Sequence, residues 1–401
     1  MFKFSRLTLG LAAVGLFAQL SANVSANEFA VASIATESGI DFTPMLQARL
    51  GHNDNIASAS ANEESSWILA VTPSLRAMLQ DGANVYTSTL SVASGSYFSS
   101  SDDNYLDVFA DAKAKIELNQ SNRFEVGAEY VSGHEDRGTG VSEGLGNAQQ
   151  KPAEFDTVNV KAHYEYGAMS TPARIRLMVG LYDKEFSNYE NLTRFRNYDS
   201  LSYGAAFYYD TQATSRVVTE ITREDISYDL VDPTGLRDSV TTNYRVGMEW
   251  EATALTSGSF RIGYQDKNFD SAQRKDFSGI TWQASVAYAP LSYSQFQLST
   301  GRQAKDPNVQ GDYVKETLHS INWKHDWSEL FSSLVGFNYS HEDYSGADRT
   351  DKTKGFTLAA NYLLRTNILL TAGSDLTRKS STVQNIRFDK NVFYVGVQAG
   401  F

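Results

Sequence analysis

Asn391-Val392-Phe393-Tyr394-Val395-Gly396-Val397-Gln398-Ala399-Gly400-Phe401, at the end of the chain, is the stretch that decides the fold. Successive side chains of a β-strand point to opposite faces. Read as a strand, it gathers Phe393, Val395, Val397, Ala399 and Phe401 on one face, with Tyr394, Gly396, Gln398 and Gly400 on the other. A wholly apolar face backed by a mixed one, over about ten residues, is what a strand needs to cross a bilayer with one side in lipid and the other in water.

Working outward, the same grammar holds from Asp41 to the end: an alternating run rich in Tyr, Phe, Val and Thr, then a turn, then another run. The chain has 22 Tyr and 22 Phe but only 7 Pro, a supply suited to many strands and few interruptions. Alternation and turn residues together predict about eighteen strands. Their centres lie near Leu46, Val71, Leu90, Ala112, Ala128, Ala162, Val179, Ala205, Ile221, Val246, Ile262, Ala284, Phe296, Ser320, Val335, Ala360, Thr371 and Val395.

The connections between these strands fall into two kinds that alternate. Short ones lie at 80–84, 119–122, 167–172, 210–213, 254–257, 289–290, 326–328 and 365–367. Longer polar ones lie at 53–64, 98–104, 135–154, 184–197, 229–238, 268–276, 304–312, 343–352 and 380–389. Short periplasmic turns and long outer loops are the habit of outer-membrane barrels, and a soluble sandwich has no reason to sort its loops this way. The predicted fold is therefore an all-β, antiparallel, up-and-down transmembrane barrel over residues 39–401, with both termini in the periplasm.

The N-terminus reads differently. Lys3 and Arg6 precede an apolar run at 7–20, and the small residues Ala22-Asn23-Val24-Ser25-Ala26 follow, which predicts a signal peptide of residues 1–26. Gly10, Gly15 and Gln19 interrupt the run, which is short for a spanning helix. Residues 27–38 are expected to form a short periplasmic segment. The chain has no cysteine, which excludes disulfides, thiolate metal sites and a lipid-modified N-terminal cysteine. Without Lys3 and Arg6 the charge is 35 − 2 − 47 = −14 with His neutral, a balance that argues against nucleic acid as a partner.

Alternation also assigns faces. Phe124, Val126, Ala128 and Tyr130 share one, as do Ile175, Leu177, Val179 and Leu181, and again Tyr244, Val246, Met248 and Trp250. A charge facing lipid near the bilayer centre costs about 2–4 kcal/mol, so charged residues are expected inward. The candidate lumen-lining set is Arg123, Glu125, Glu129, Arg174, Arg176, Glu220, Glu224, Arg245, Glu249, Arg261 and Lys267. Opposite charges pairing across strands would leave the channel either open or narrowed. Tyr166, Tyr209, Trp250, Tyr288, Trp323 and Trp327 lie beside short turns, where an aromatic girdle belongs; a sugar-binding track inside the pore is the alternative reading of some tyrosines.

Catalytic signals are absent. The histidines His52, His134, His163, His319, His325 and His341 show no metal-ligand spacing, no Gly-x-Ser-x-Gly occurs, and no cofactor is expected. Asp102-Asp103-Asn104 and His134-Glu135-Asp136 read as solvated acidic loops, with contact to divalent cations on lipopolysaccharide as the sharper alternative.

Gly39-Ile40-Asp41-Phe42-Thr43-Pro44, His52-Asn53-Asp54-Asn55-Ile56 and Val71-Thr72-Pro73-Ser74-Leu75, followed by Asp102-Asp103-Asn104-Tyr105-Leu106-Asp107 and Glu135-Asp136-Arg137-Gly138, resemble the β-barrel porin family associated with exopolysaccharide and capsule gene clusters. The likeness spans about residues 39–401; His52-Asn53 departs from the more acidic or aromatic loop start of that pattern. The resemblance implies an outer-membrane protein of a Gram-negative bacterium that takes part in polysaccharide export, partnered by a periplasmic export protein. It brings no catalytic residues. A diffusion porin for small solutes is the alternative, and it predicts a long loop folded into the lumen. The loop at 135–154 is the candidate, although Gly138, Gly140, Gly144 and Gly146 mark it as flexible. A barrel enzyme or surface assembly factor is a third reading, without a residue cluster to support it. Phe401 resembles the terminal aromatic read by the barrel-insertion machinery; outer-membrane lipid and lipopolysaccharide are the remaining expected partners.

Overall fold

The computed structural model describes residues 29, 31–211, 214–253 and 255–401. The expected signal peptide lies outside these residues. The described chain forms one sheet of eighteen long strands, with β1 Ile40–Asn53, β2 Ser66–Asp81, β3 Asn84–Tyr97, β4 Tyr105–Asn119, β5 Asn122–Glu135, β6 Ala153–Tyr166, β7 Ala173–Phe186, β8 Tyr198–Asp210 and β9 Ser215–Tyr228 as its first half. The second half is β10 Ser239–Thr253, β11 Thr256–Phe269, β12 Phe277–Leu291, β13 Ser294–Lys305, β14 Val314–Asp326, β15 Phe331–Tyr344, β16 Thr350–Arg365, β17 Ile368–Ser381 and β18 Phe388–Gly400. A further two-residue strand, Ile34–Ala35, pairs with Phe42 and Asp41 at the start of β1.

Each strand pairs antiparallel with its chain neighbours, and β18 returns to β1 through pairs such as Val395 with Leu50 and Val397 with Ala48. The sheet is closed. Closure removes every exposed backbone edge, a requirement for a sheet in hydrocarbon. Every predicted centre lies within one strand, in order.

At one end the connections are tight. Asp81 pairs with Asn84 across a two-residue turn whose Gly82 has φ +59, a left-handed conformation that glycine enters without steric cost. Register shifts at 117/119, 250/253, 288/291 and 363/365 cluster at this same end, where bulges absorb the turn geometry. At the other end nine longer loops separate the strands.

Exposure alternates along the strands as the sequence pattern requires. On β7, Ile175, Leu177, Val179 and Leu181 are exposed on the outside while Arg174 on the inner face is 4% exposed. The same outward belt includes Phe124, Val126, Tyr244, Val246, Met248, Phe393, Val395 and Val397. Among the described residues no continuous apolar core fills the middle of the barrel. Most of the buried apolar residues, among them Ile56, Ala57, Val141, Phe155, Phe277, Val314, Ile386 and Val392, lie in the long loops or at the strand ends that lead into them. The packed part of this protein is its long-loop mouth.

Candidate functional site

The inner wall carries ion pairs that run across strands. Glu165 on β6 accepts from Arg123 on β5 at 2.9 Å and also bonds Arg176 on β7. Glu249 on β10 is held between Arg216 on β9 and Arg261 on β11, with the Arg216 Nε donating at 2.7 Å. Arg174 reaches Asp210 at 2.9 Å, Arg245 reaches Glu220 at 3.2 Å, and Arg49 reaches Asp375 at 3.3 Å while stacking over the Tyr394 ring. Arg176 and Arg216 flank the Tyr208 ring at 5.3 and 5.0 Å. A ladder register places these groups opposite one another, and a carboxylate between two guanidiniums is their natural filling.

Of the other lining residues expected from sequence, Glu224 accepts from the Ser200 hydroxyl at 3.1 Å. Glu125 stands opposite Lys115 in the ladder, and Glu129 is exposed opposite Asp111. Lys267 lies on the inner face but is covered. It is 2% exposed, donates to the Ser239 hydroxyl at 2.8 Å and pairs with Asp306 of the loop 306–313 at 2.9 Å. Near the short turns, Tyr166, Tyr209, Tyr288 and Trp327 are exposed on the outside, and the Trp327 Nε1 donates to the Ser333 hydroxyl. Phe401 is exposed, its backbone N–H donating to the Pro44 carbonyl, so closure of the barrel fixes its position.

The mouth is where the sequence reading needs correction. The loop between β5 and β6 is not a flexible glycine-rich tether. Ala57 of the loop between β1 and β2 is fully buried, and a side chain at either Gly138 or Gly146 would run into its carbonyl oxygen. Gly140 leaves room for the Glu135 carboxylate, and Gly144 lies against Asn385 and Ile386. These glycines allow close approach of backbones; loop composition alone does not separate that use from flexibility.

The acidic segments are solvated only in part: Asp102 and Asn104 are exposed, while Asp103 and Glu135 are buried. Arg137 donates through Nε to Asp103 at 2.7 Å, through Nη2 to Glu64 at 2.8 Å and through Nη1 to the Gln149 carbonyl at 3.3 Å, tying three loops together. Burial alone would lower its pKa, but the hydrogen bonds to Asp103 and Glu64 outweigh that and raise it. His134 stacks on Tyr105 at 4.3 Å and bridges Asp107 at 2.9 Å and Asp136 at 3.3 Å. Burial would raise the Asp136 pKa; the hydrogen bond from His134 and the nearby Lys390 hold it below the ordinary carboxylate range.

The tip of this loop then spans the mouth. Glu143 pairs with Arg349 at 2.6 Å and with Lys379 on β17, while Asn385 donates to the Gly144 carbonyl at 3.1 Å. Arg349 is raised despite burial, chiefly by its hydrogen bond to Asp351 and by Glu143. Asp351 is fully buried and also accepts from the Ser381 hydroxyl at 2.6 Å and pairs with Lys379 at 3.2 Å. A loop that leaves the wall between β5 and β6 is thus anchored where β16 and β17 meet, roughly a third of the circumference away.

A second group of loops packs beside it. Arg196 pairs with Asp232 at 2.9 Å and donates to the carbonyls of Asn308 and Val309 at 2.8 Å each, and Arg237 shares Asp232 at 2.9 Å. Burial opposes the Asp232 charge; hydrogen bonds from Thr234, Arg237 and Arg196 overcome it and depress the pKa. The two groups join where the Lys151 N–H donates to the Tyr189 hydroxyl at 2.9 Å and Asn188 to the Pro152 carbonyl at 3.1 Å. Among the described residues no group of three or more His, Asp or Glu side chains is arranged to hold a metal ion.

A closed barrel with an apolar outer belt, a charged inner wall and a loop laid over its mouth is the geometry of a pore. Residues 41–401 match the family described as putative beta-barrel porin 2. The chain belongs to that family. No curated protein matches the chain. Among solved structures it is similar to the outer membrane protein OpdK of Pseudomonas aeruginosa, with TM-score 0.50, 10% identity, and coverage of 90% of this chain and 99% of that one. It is also similar to OccAB3 of Acinetobacter baumannii, with TM-score 0.49, 9% identity, and coverage of 91% and 99%. For the FrpB iron transporter of Neisseria meningitidis the values are 0.46, 9%, and 84% of this chain but only 62% of that one. Membership of a porin family together with this fold establishes an outer-membrane type of barrel, and such barrels place the long-loop end outside.

Proposed function

We propose that this porin-family protein is a constricted outer-membrane channel for small polar solutes, acting as a conduit and not as an enzyme, and exported by a cleaved signal peptide. The observation that carries the reading is the β5–β6 loop, which reaches Arg349 and Lys379 through Glu143 and packs Gly138 and Gly146 against Ala57 of the β1–β2 loop. An inward loop narrows a pore whose eighteen strands would otherwise enclose a wide aqueous lumen. The alternating charges of the wall favour hydrated, polar cargo passing by weak repeated contacts. The test is swelling of liposomes holding the purified protein in sugars of graded size, beside planar-bilayer conductance. A sharp size cut-off that rises when residues 139–147 are replaced by a short linker is expected. A cut-off that does not move excludes the loop as the constriction.

A second reading, passage of exopolysaccharide with a periplasmic export partner, is favoured by the motifs at 39–75 and by one feature of the lumen. Tyr182, Tyr198 and Tyr228 lie ring to ring on the inner faces of β7, β8 and β9 with centroids 5.5 and 5.3 Å apart, a surface on which sugar rings can stack. Surface polymer measured in a clean deletion strain decides this reading. Loss of polymer with periplasmic accumulation, reversed by the restored gene, supports it, and unchanged polymer removes it.

A further inference from the structure

The strands are longer than a bilayer requires. They run from 12 to 16 residues, whereas about 9–11 tilted residues span the hydrocarbon, so their outer ends rise into the headgroup layer. At that height the outward faces of β13–β17 are basic. Lys352 and Lys354 on β16 share a face with the exposed Phe356 and Leu358. Arg378 on β17 stands directly opposite Lys354 in the ladder and is 72% exposed; Lys352 pairs with His341 on β15. Lys315 on β14 and Arg302 on β13 continue the arc, and Arg302 rests over the Trp282 ring at 5.4 Å.

The carboxylates on this face neutralise only part of it. Asp343 is taken up by Lys315 and His341, each at 3.0 Å, and Asp389 by Arg378 at 2.9 Å. Lys352 and Lys354 are exposed and, among the described residues, have no acidic partner. The same height on β6–β9 is acidic, with Asp156, Asp183, Asp199 and Asp225 outward and Arg223 as the cation among them. The rim therefore has two signs on two sides, on a chain whose overall charge is negative.

We propose that the arc of Lys352, Lys354 and Arg378 is a binding site for the phosphate groups of an outer-leaflet glycolipid. Neighbouring strands are about 4.8 Å apart and alternate residues of one strand about 7 Å, so the three cations lie within the reach of one phosphorylated headgroup. Its acyl chains would lie along the apolar belt directly below, formed here by Phe356, Leu358 and Phe337. Phosphate oxygens accept charge-assisted hydrogen bonds from Lys352, Lys354 and the Nη1 of Arg378, whose Nε and Nη2 are held by Asp389, and a carboxylate-lined rim cannot substitute for them. The outer-leaflet lipid thus has one preferred seat on the barrel wall.

The test uses the full-length protein in detergent with deep-rough lipopolysaccharide, and with the same lipid after its phosphates are removed, read by native mass spectrometry. The expected result is binding of the phosphorylated lipid that K352Q/K354Q/R378Q weakens by on the order of 100-fold, about fivefold per cation. The acidic-arc variant D183N/D199N should leave binding unchanged. Heat-modifiable gel migration verifies that each variant is a folded barrel. Equal binding by wild type and triple variant, or equal binding of the phosphate-free lipid, overturns the proposal. So does a wild-type oligomer that the triple variant dissolves and lipopolysaccharide does not compete, because the arc would then bind the acidic rim of a second copy.

Discussion

Replacing Glu143 by Ala should release the loop from its anchor at Arg349 and Lys379. The carboxylate is 7% exposed and holds Arg349 at 2.6 Å as well as Lys379. Stripping one partner from an isolated buried pair costs about 3–5 kcal/mol, because the other charge is left uncompensated. Here the loss is smaller. Arg349 keeps Asp351 through its Nε at 3.0 Å and Lys379 keeps the same residue at 3.2 Å. What disappears is one hydrogen bond from Lys379 and one ion pair with Arg349, together worth about 2 kcal/mol once the remaining pairs to Asp351 are counted, and that shifts the docked-to-undocked equilibrium by roughly 30-fold. Amide hydrogen exchange over residues 140–148 should accelerate by about that factor while β-strand amides keep their protection. In planar bilayers E143A should show a larger mean conductance with more frequent transitions. If exchange in this segment is unchanged in E143A, the Glu143 contact does not hold the loop. If exchange accelerates without any change in conductance, the loop is docked but does not limit the current.

Gly146→Ala places a methyl group against the Ala57 carbonyl and should loosen the same packing by about 1–3 kcal/mol; limited trypsin digestion should then cut after Arg137, which is 6% exposed in the native mouth. Val179→Arg puts a charge at the centre of β7 on the lipid face and should reduce folding stability by about 2–4 kcal/mol, measured by reversible denaturant titration in lipid vesicles. Acid should loosen the mouth before the wall. Asp136 and Asp232 have pKa values depressed by their partners, so their contribution is complete above the ordinary carboxylate pKa of about 3.9 and is lost as pH falls through the depressed values. Exchange in the segments 136–152 and 229–238 should therefore rise as pH drops below about 4, after correction for intrinsic rates; unchanged protection down to about pH 2 would contradict the assigned ion pairs.

The strand order was legible because one constraint acts on every residue of the belt. Lipid outside and water inside force period-two alternation, and Phe393, Val395 and Val397 or Ile175, Leu177 and Val179 display it without exception. Loop lengths were legible for a similar reason, since the tight turn at Gly82 admits few residue types. The mouth was not. Its contacts join residues far apart in the chain, such as Glu143 with Lys379 and Arg137 with Glu64, and no periodicity links them. A glycine that permits backbone contact and one that permits motion are the same letter, so Gly138 and Gly146 pointed toward flexibility. One signal was present. The segments 102–107 and 135–138, which carry part of the family resemblance, meet where Arg137 donates to Asp103, and Gly138 packs against Ala57 beside the segment 52–56.

The choice of charges to fix the mouth has a physical logic of its own. Buried ion pairs are a weak source of stability, because desolvation consumes most of their attraction, and an apolar latch of equal volume would hold the loop as well or better. Such a latch would also leave an apolar patch on the loop and another on the wall it had covered whenever the two separated, and each would offer a surface for misassociation. On undocking Glu143 returns to water, while Arg349 and Lys379 keep Asp351. They also impose a geometric demand, since each carboxylate must meet its cations in hydrogen-bonding position. Specific placement, without dependence on apolar contact, is what a loop needs if it must define an aperture and still be passed through the membrane as a polar segment during assembly.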